Sequence, residues 1–365
     1  PISRFDLDEY TSQDAGTIPE LKYRKLINPS LLRRMDTISK QGAVAVKMAL
    51  ENSKIKVTKR NGEKIGLVFA TGTGPVETVE GFNRVVVREG SERANARLFP
   101  NTVMNAAAGN IGLNFKIKGP TTTICAGGVS SLTAMYFANN LIEQEICDQV
   151  VVVSSDEFNE PLLAGMERIP NYLTDKNPKP FASDRDGYLL GEAGVAYVVE
   201  SEESAKNRDA NILAEIKGFG LTADQVGNGR IDPKGESWKK ALELALNDAE
   251  LTTTDIDFVA SAAGGHGKFD EVEANILNDV FGNQVSVGAT KSIFGETNGS
   301  SGFIGLLSGI MALNGVKPGM QNVKESEIDL DLVLETRYEE EANNILINSF
   351  SYGGNYNSLI IGKYE

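Results

Sequence analysis

Two kinds of apolar run alternate along the chain. Ile65-Gly66-Leu67-Val68-Phe69-Ala70, Val150-Val151-Val152-Val153 and Ala193 to Glu200 are short and nearly continuous, as expected of strands covered on both faces. Trp238, Ala241, Leu242, Ala245, Leu246 and Ala249 instead recur at helical spacing and predict one buried helix face. Helices are also predicted over 31–52, with Met35, Ile38, Val44, Met48 and Leu50 on the buried side, and over 76–89, 100–115, 130–144 and 300–314. Further strands are predicted at 121–124, 212–216, 256–261, 285–289, 345–350 and 359–362, the last two adjacent or as a hairpin. Strand and helix alternate through two similar halves, 1–205 and 206–365, divided at the charged stretch 201–210. The pattern predicts an α/β protein in which two like halves share one layered body.

Charge and composition narrow the function classes. The formal net charge of −14 argues against nucleic acid and anionic membrane as partners, because both need a basic face. No apolar run reaches the ~18 residues of a membrane span, and the opening Pro1-Ile2-Ser3-Arg4-Phe5 lacks the apolar core of a signal peptide, so a cytoplasmic location is expected. Cys125 and Cys147 are too few for a disulfide framework, and no Cys/His cluster has zinc spacing. Gly72-Thr73-Gly74-Pro75 lacks the spacing and the Gly-Lys-Ser/Thr of a phosphate loop and reads as a turn. Neither cofactor nor metal is expected. His266 is the only histidine, which excludes any mechanism that needs two.

Four stretches carry more information. They are Phe181-Ala182-Ser183-Asp184-Arg185-Asp186-Gly187-Tyr188-Leu189-Leu190-Gly191-Glu192, Thr290-Lys291-Ser292-Ile293-Phe294-Gly295, Asn348-Ser349-Phe350-Ser351-Tyr352-Gly353-Gly354, and Asp255-Ile256-Asp257-Phe258-Val259 followed by Asp270-Glu271-Val272-Glu273-Ala274. In this order they resemble the ketosynthase (beta-ketoacyl synthase) family of fatty acid and polyketide synthesis, from about Ile27 to Ile361. The resemblance implies the thiolase fold, a layered αβαβα body of two duplicated halves. It also implies a site in which a cysteine takes an acyl chain and two histidines assist condensation with a decarboxylating malonyl group.

Those three groups are missing from their places. Counting from Gly119-Pro120 puts the nucleophile at Gly128, and counting back from Asp156-Glu157 gives Gly128 or Val129. The histidine positions fall on Ala262 and Glu296. Cys125 lies three residues early, and a three-residue shift between strand and helix turns its side chain to another face. Cys147, just past a helix, is read as structural. His266 lies in the loop Gly264-Gly265-His266-Gly267, where a histidine is ordinarily polar surface. An ionised Glu296 would repel a malonyl carboxylate unless paired. Lys291 and Glu192 match a family lysine and glutamate that pair behind the site, and a structural role is expected for them.

The resemblance narrows to the chain-length factor, a ketosynthase-like subunit of type II polyketide synthases that lacks the cysteine. It pairs with an active ketosynthase and shapes the tunnel that limits chain length. The expected function is therefore a non-catalytic subunit of a beta-ketoacyl synthase (acyltransferase) complex. Met104 and Asn105, on the segment matching the tunnel wall, and Phe350 and Tyr352 are the tunnel or gating candidates. An acyl carrier protein is expected to dock mainly on the partner, since carriers are acidic and this chain carries −14. The alternative is an unusual ketosynthase or malonyl decarboxylase using Cys125. The first residues match a later family segment, so the first family strand is expected to be missing. Another segment or the partner should then cover the edge it leaves.

Overall fold

The computed structural model describes residues 2, 4–227, 229–326 and 328–364; Pro1 and Ser3, read above as part of the opening segment, lie outside the described residues. The first half contains α1 (Pro29–Leu32), α2 (Thr37–Asn52), β1 (Ile65–Thr71), α3 (Val76–Glu89), α4 (Ala106–Phe115), β2 (Thr121–Cys125), α5 (Ser130–Glu143), β3 (Gln149–Asp156), α6 (Glu160–Met166) and β4 (Ala193–Glu200). The second contains α7 (Glu202–Asn207), β5 (Glu215–Ala223), α8 (Glu236–Asp248), β6 (Phe258–Ala260), α9 (Gly267–Phe281), β7 (Ser286–Gly288), α10 (Lys291–Phe294) and α11 (Ser301–Leu313). It continues through β8 (Val316–Lys317), β9 (Asp331–Leu332), β10 (Arg337–Tyr338), β11 (Asn344–Ser351) and β12 (Asn355–Gly362).

Two mixed sheets form the body, ordered β2-β1-β3-β4 and β5-β12-β11-β6-β7-β9. In both, a parallel core ends in an antiparallel strand, β4 against β3 and β12 against β11. Helices α5 and α11 pack on each other between the sheets. There Leu132, Ala134, Phe303 and Leu306 meet Val68, Val150 and Val152 of one sheet and Ile345, Ile347 and Leu359 of the other. On the outer faces α2 and α4 cover the first sheet, and α8 and α9 cover the second. This is the layered thiolase fold. The four valines of β3 are fully buried because helices cover both of its faces.

Some elements differ from the sequence reading. The helix expected over 31–52 is interrupted: Asp36 caps α2, its Oδ1 accepting from the Ser39 N–H at 2.9 Å. Met48, expected on the buried side, is 63 % exposed. The strand expected at 212–216 runs instead from Glu215 to Ala223. Its glycines hid it, and they are required: a Cβ on Gly220 would lie 1.7 Å from the Ala241 carbonyl oxygen of α8. The stretch 201–210 is a boundary that contains a short helix, α7, rather than bare linker. Among the described residues no strand lies beside the outer edge of β4, so of the two covers expected there, another segment or the partner, no described segment is one.

Candidate functional site

β2 delivers the chain to a single turn, Gly127–Val129, from which α5 starts. Ser130 ties this junction down: its Oγ accepts from the Ala126 N–H at 2.8 Å and donates to the Thr71 carbonyl at 2.8 Å. The end of β11 presses on the same turn from the other half. A Cβ on Gly128 would lie 2.2 Å from the Phe350 carbonyl oxygen, and one on Gly127 would lie 2.2 Å from Ser351 Oγ. Gly127 could shed its conflict by a side-chain rotation of Ser351. Gly128 could not, because its obstacle is backbone. The place that the resemblance assigns to a nucleophile therefore has no room for any side chain. Val129, the other candidate for that position, is buried.

Ala262, at the first histidine position, follows β6 and is buried. Its N–H donates to Glu273 Oε1 at 3.0 Å, and the same carboxylate accepts from Ser261 Oγ at 3.1 Å and Asn348 Nδ2 at 3.0 Å. Complete burial pushes the Glu273 carboxyl up to about 7.

Glu296, at the second histidine position, is not free to act on a substrate. Its Oε2 pairs with Lys291 Nζ at 2.6 Å, and its Oε1 accepts from the Asn298 N–H at 2.9 Å and from Ser301 Oγ at 2.7 Å. The Lys291 ammonium also lies 4.9 Å from the centre of the Phe350 ring and 5.5 Å from that of Tyr188. Both charges are buried, and removing one partner of such a pair typically costs ~3–5 kcal/mol. The turn at Gly295, φ +76°, brings the two side chains together; that backbone conformation suits glycine.

The expected pairing of Lys291 with Glu192 does not occur. Glu192 takes both arms of Arg4, at 2.6 and 2.7 Å, and accepts from the Ile18 N–H at 2.7 Å and the Phe158 N–H at 3.1 Å. A two-pronged guanidinium and two backbone donors saturate it, leaving Lys291 to Glu296.

Gly128, Ala262, Lys291, Asn348 and Phe350 converge on one cavity of about 10 Å³. That is room for roughly one water molecule and none for a thioester. A cleft of about 630 Å³ lies elsewhere, between the Arg4–Tyr23 segment, α2 and α3. It is polar and shares no lining residue with the small cavity.

Cys125 ends β2 at the protein surface, its Sγ 3.8 Å from the Gly72 carbonyl oxygen. Partial burial, and then the Asp156 charge, push its thiol above the ordinary value, the opposite of what a nucleophile needs. Cys147 is buried against Gly66. His266 is not polar surface: it caps α9, with Nδ1 accepting from the N–H groups of Lys268 at 3.3 Å and Phe269 at 3.5 Å. Its ring packs between Tyr188, Tyr172 and Phe269. Burial, with Lys268 adding to it, lowers its pKa to about 4, so it is neutral and fixed.

The tunnel candidates separate. Phe350 lies inside the second half, stacked on Phe269 at 4.8 Å and packed on Trp238 at 5.4 Å, and Tyr352 meets Tyr172 at 5.0 Å. Met104 and Asn105 are exposed just before α4, the Met104 sulfur resting on Gly74. Close by are Leu98, Phe99 and Val103, all exposed. The edge strand β2 leaves Thr121 and Cys125 exposed as well.

Sequence reasoning missed Glu273 as the anchor of the Ala262 backbone and the aromatic packing of Tyr172, Trp238 and Phe269. It also missed the buried acids Asp156 and Glu157, used there only as an alignment anchor. Asp156 accepts from Thr71 Oγ1 at 2.8 Å, from the N–H groups of Gly72 at 2.7 Å and Thr73 at 3.2 Å, and from Ser300 Oγ at 3.4 Å. It thereby joins the loop after β1 to the start of α11. Burial pushes Asp156 up to about 7 and Glu157 up to about 8.

Comparison with known proteins agrees with this architecture. Residues 2–205 match the beta-ketoacyl synthase N-terminal domain, and residues 213–324 match the beta-ketoacyl synthase C-terminal domain. The 3-oxoacyl-[acyl-carrier-protein] synthase 2 of Coxiella burnetii is 24% identical over 100% of this chain and 91% of its own. That of Vibrio harveyi is 26% identical over 99% of this chain and 90% of its own. Among solved structures, the ishigamide ketosynthase/chain length factor superposes with a TM-score of 0.93 at 24% identity, covering 100% of this chain and 91% of that one. A ketosynthase in complex with its chain length factor from Xenorhabdus doucetiae gives 0.80 at 21% identity, covering 92% of this chain and 83% of that one.

Proposed function

This chain belongs to the beta-ketoacyl synthase family, and we propose that it serves there as a non-catalytic, chain-length-factor-like subunit paired with an active ketosynthase. The observation that carries the reading is the Gly128 site. Its missing side chain is not an isolated substitution, because the Phe350 carbonyl occupies the space a Cβ needs. The histidine positions hold Ala262 and a glutamate locked to Lys291. A protein awaiting only a cysteine would keep the hole; here the site is filled.

What remains is a body able to dimerise. The exposed strand β2 and the apolar residues Leu98, Phe99, Val103 and Met104 offer a partner both backbone pairing and apolar contact. Met104 and Asn105 are the side chains this reading places against the partner's tunnel. Phe350 and Tyr352 act only indirectly, by holding the site shut.

Lys22, Arg24, Lys25, Arg33 and Arg34 are exposed and make no ion pair among the described residues. No acid lies between Glu20 and Asp36, and Asp36 is buried. A chain of net −14 thus carries a local basic strip, and an acidic carrier can touch this subunit as well as its partner.

Co-expression with a ketosynthase that carries the intact cysteine and histidines tests the pairing. The expected result is a one-to-one heterodimer, active only with both subunits. A stable, active homodimer of this chain would refute it.

A further inference from the structure

Met104 is 44 % exposed, yet its thioether is not free. A long unbranched side chain at the surface ordinarily samples several rotamers. Here the sulfur lies so close over Gly74 that a Cβ at that position would come within 2.1 Å of Sδ and 3.0 Å of Cε. The three atoms nearest to such a Cβ all belong to Met104. The missing side chain of Gly74 is thus a notch filled by one other side chain.

Gly74 is held from the opposite side. It follows β1 in the left-handed region, φ +73°. Its N–H donates to Thr71 Oγ1 at 3.0 Å, and that hydroxyl donates to Asp156 Oδ1 at 2.8 Å. The same oxygen accepts from the N–H groups of Gly72 at 2.7 Å and Thr73 at 3.2 Å. Thr71 and Asp156 are fully buried. Three successive residues are therefore tied to one carboxylate on β3, and the fourth, Gly74, to a hydroxyl which that carboxylate orients. Two separate constraints demand glycine at 74. The backbone angle disfavours a side chain, and the sulfur occupies its place. The angle alone would admit asparagine, but the sulfur would not.

We propose that Gly74 is a specificity-determining position: it seats the Met104 thioether, and the seat sets how far that side chain reaches into the tunnel shared with the partner. This rests on the pairing with an active ketosynthase proposed above. Asp156 and Thr71 are positioning residues, acting on Gly74 and through it on Met104. A Cβ at 74 meets the far end of a flexible side chain and not backbone, so the sulfur yields while the loop stays. Displaced from its notch, Met104 moves outward, toward the partner, and the space for the growing acyl chain shrinks. Truncating Met104 enlarges that space.

The test has two arms. In the isolated chain, methionine oxidation by hydrogen peroxide is followed peptide by peptide with mass spectrometry. Met48, exposed on α2, is the internal standard. Gly74→Ala is expected to speed sulfoxide formation at Met104 at least threefold and to leave Met48 unchanged. Thr71→Val, which removes the hydroxyl at nearly constant shape, should do the same, and Thr71→Ser should keep the slow rate. This second pair decides the seat even where Gly74→Ala does not fold. In the heterodimer, product length is measured. Gly74→Ala should shorten the main product by at least one extension unit, and Met104→Ala should lengthen it. The double variant should behave as Met104→Ala alone. An unchanged oxidation rate at Met104 would overturn the seat, whatever the partner does. Faster oxidation with unchanged product length would overturn the role in specificity. So would a Gly74→Ala effect that persists without the Met104 side chain. Failure to form an active heterodimer would overturn the pairing, and the product claim with it, while the oxidation arm still decides the seat.

Discussion

At the scale of single residues, the Phe350 carbonyl closes the site at Gly128. Any Cβ at 128 must push backbone aside, and overpacking of this kind costs ~1–3 kcal/mol. Gly128→Ala is accordingly expected to lower the unfolding free energy measured in urea by an amount in that range; an unchanged value would mean the turn has slack. The three empty positions were legible in the sequence because counting from Gly119-Pro120, Val259 and Lys291 needs only local spacing. What fills the site was not. The Phe350 carbonyl arrives from more than 200 positions away in sequence. The Lys291–Glu296 pair was masked by an expected pairing with Glu192, which Arg4 pre-empts. His266 was misjudged for a similar reason. A Gly-His-Gly loop looks exposed until Tyr172, Tyr188 and Phe269 close over it.

At the scale of elements, β1, β3 and β4 were readable as apolar runs, since a strand covered on both faces has no polar alternation to blur. β5 was not, because the two glycines that let it touch α8 remove the side chains that would mark it. β2 carries the partner pairing proposed above. It sits at the edge of its sheet, and Cys125 ends it with an accessible thiol. If β2 pairs with the partner, alkylation of Cys125 by iodoacetamide should proceed in the isolated chain and slow at least tenfold in the heterodimer. Equal rates in both states would place the interface elsewhere.

For the whole molecule, buried acids set the pH response. Asp156, Glu157 and Glu273 hold their protons up to about 7, 8 and 7, whereas the unfolded chain releases them near 4. Between those limits the native state binds more protons, so stability falls as pH rises. His266, lowered to about 4, has the opposite sign, but only a small part of its contribution is still to come above its ordinary value of 6.5, against three carboxyls. The urea midpoint should therefore fall from pH 6.5 to pH 8; a flat or rising profile would mean these carboxyls are ionised in the folded protein. The same scale holds the central claim, that the chemistry belongs to the partner. Intact-protein mass spectrometry after incubation with an acyl-carrier thioester, with the chain alone and with its ketosynthase partner, tests this most directly. The account predicts an acyl adduct on the partner's cysteine and none on this chain in either sample. An acyl adduct on this chain, at Cys125 or anywhere else, would contradict it.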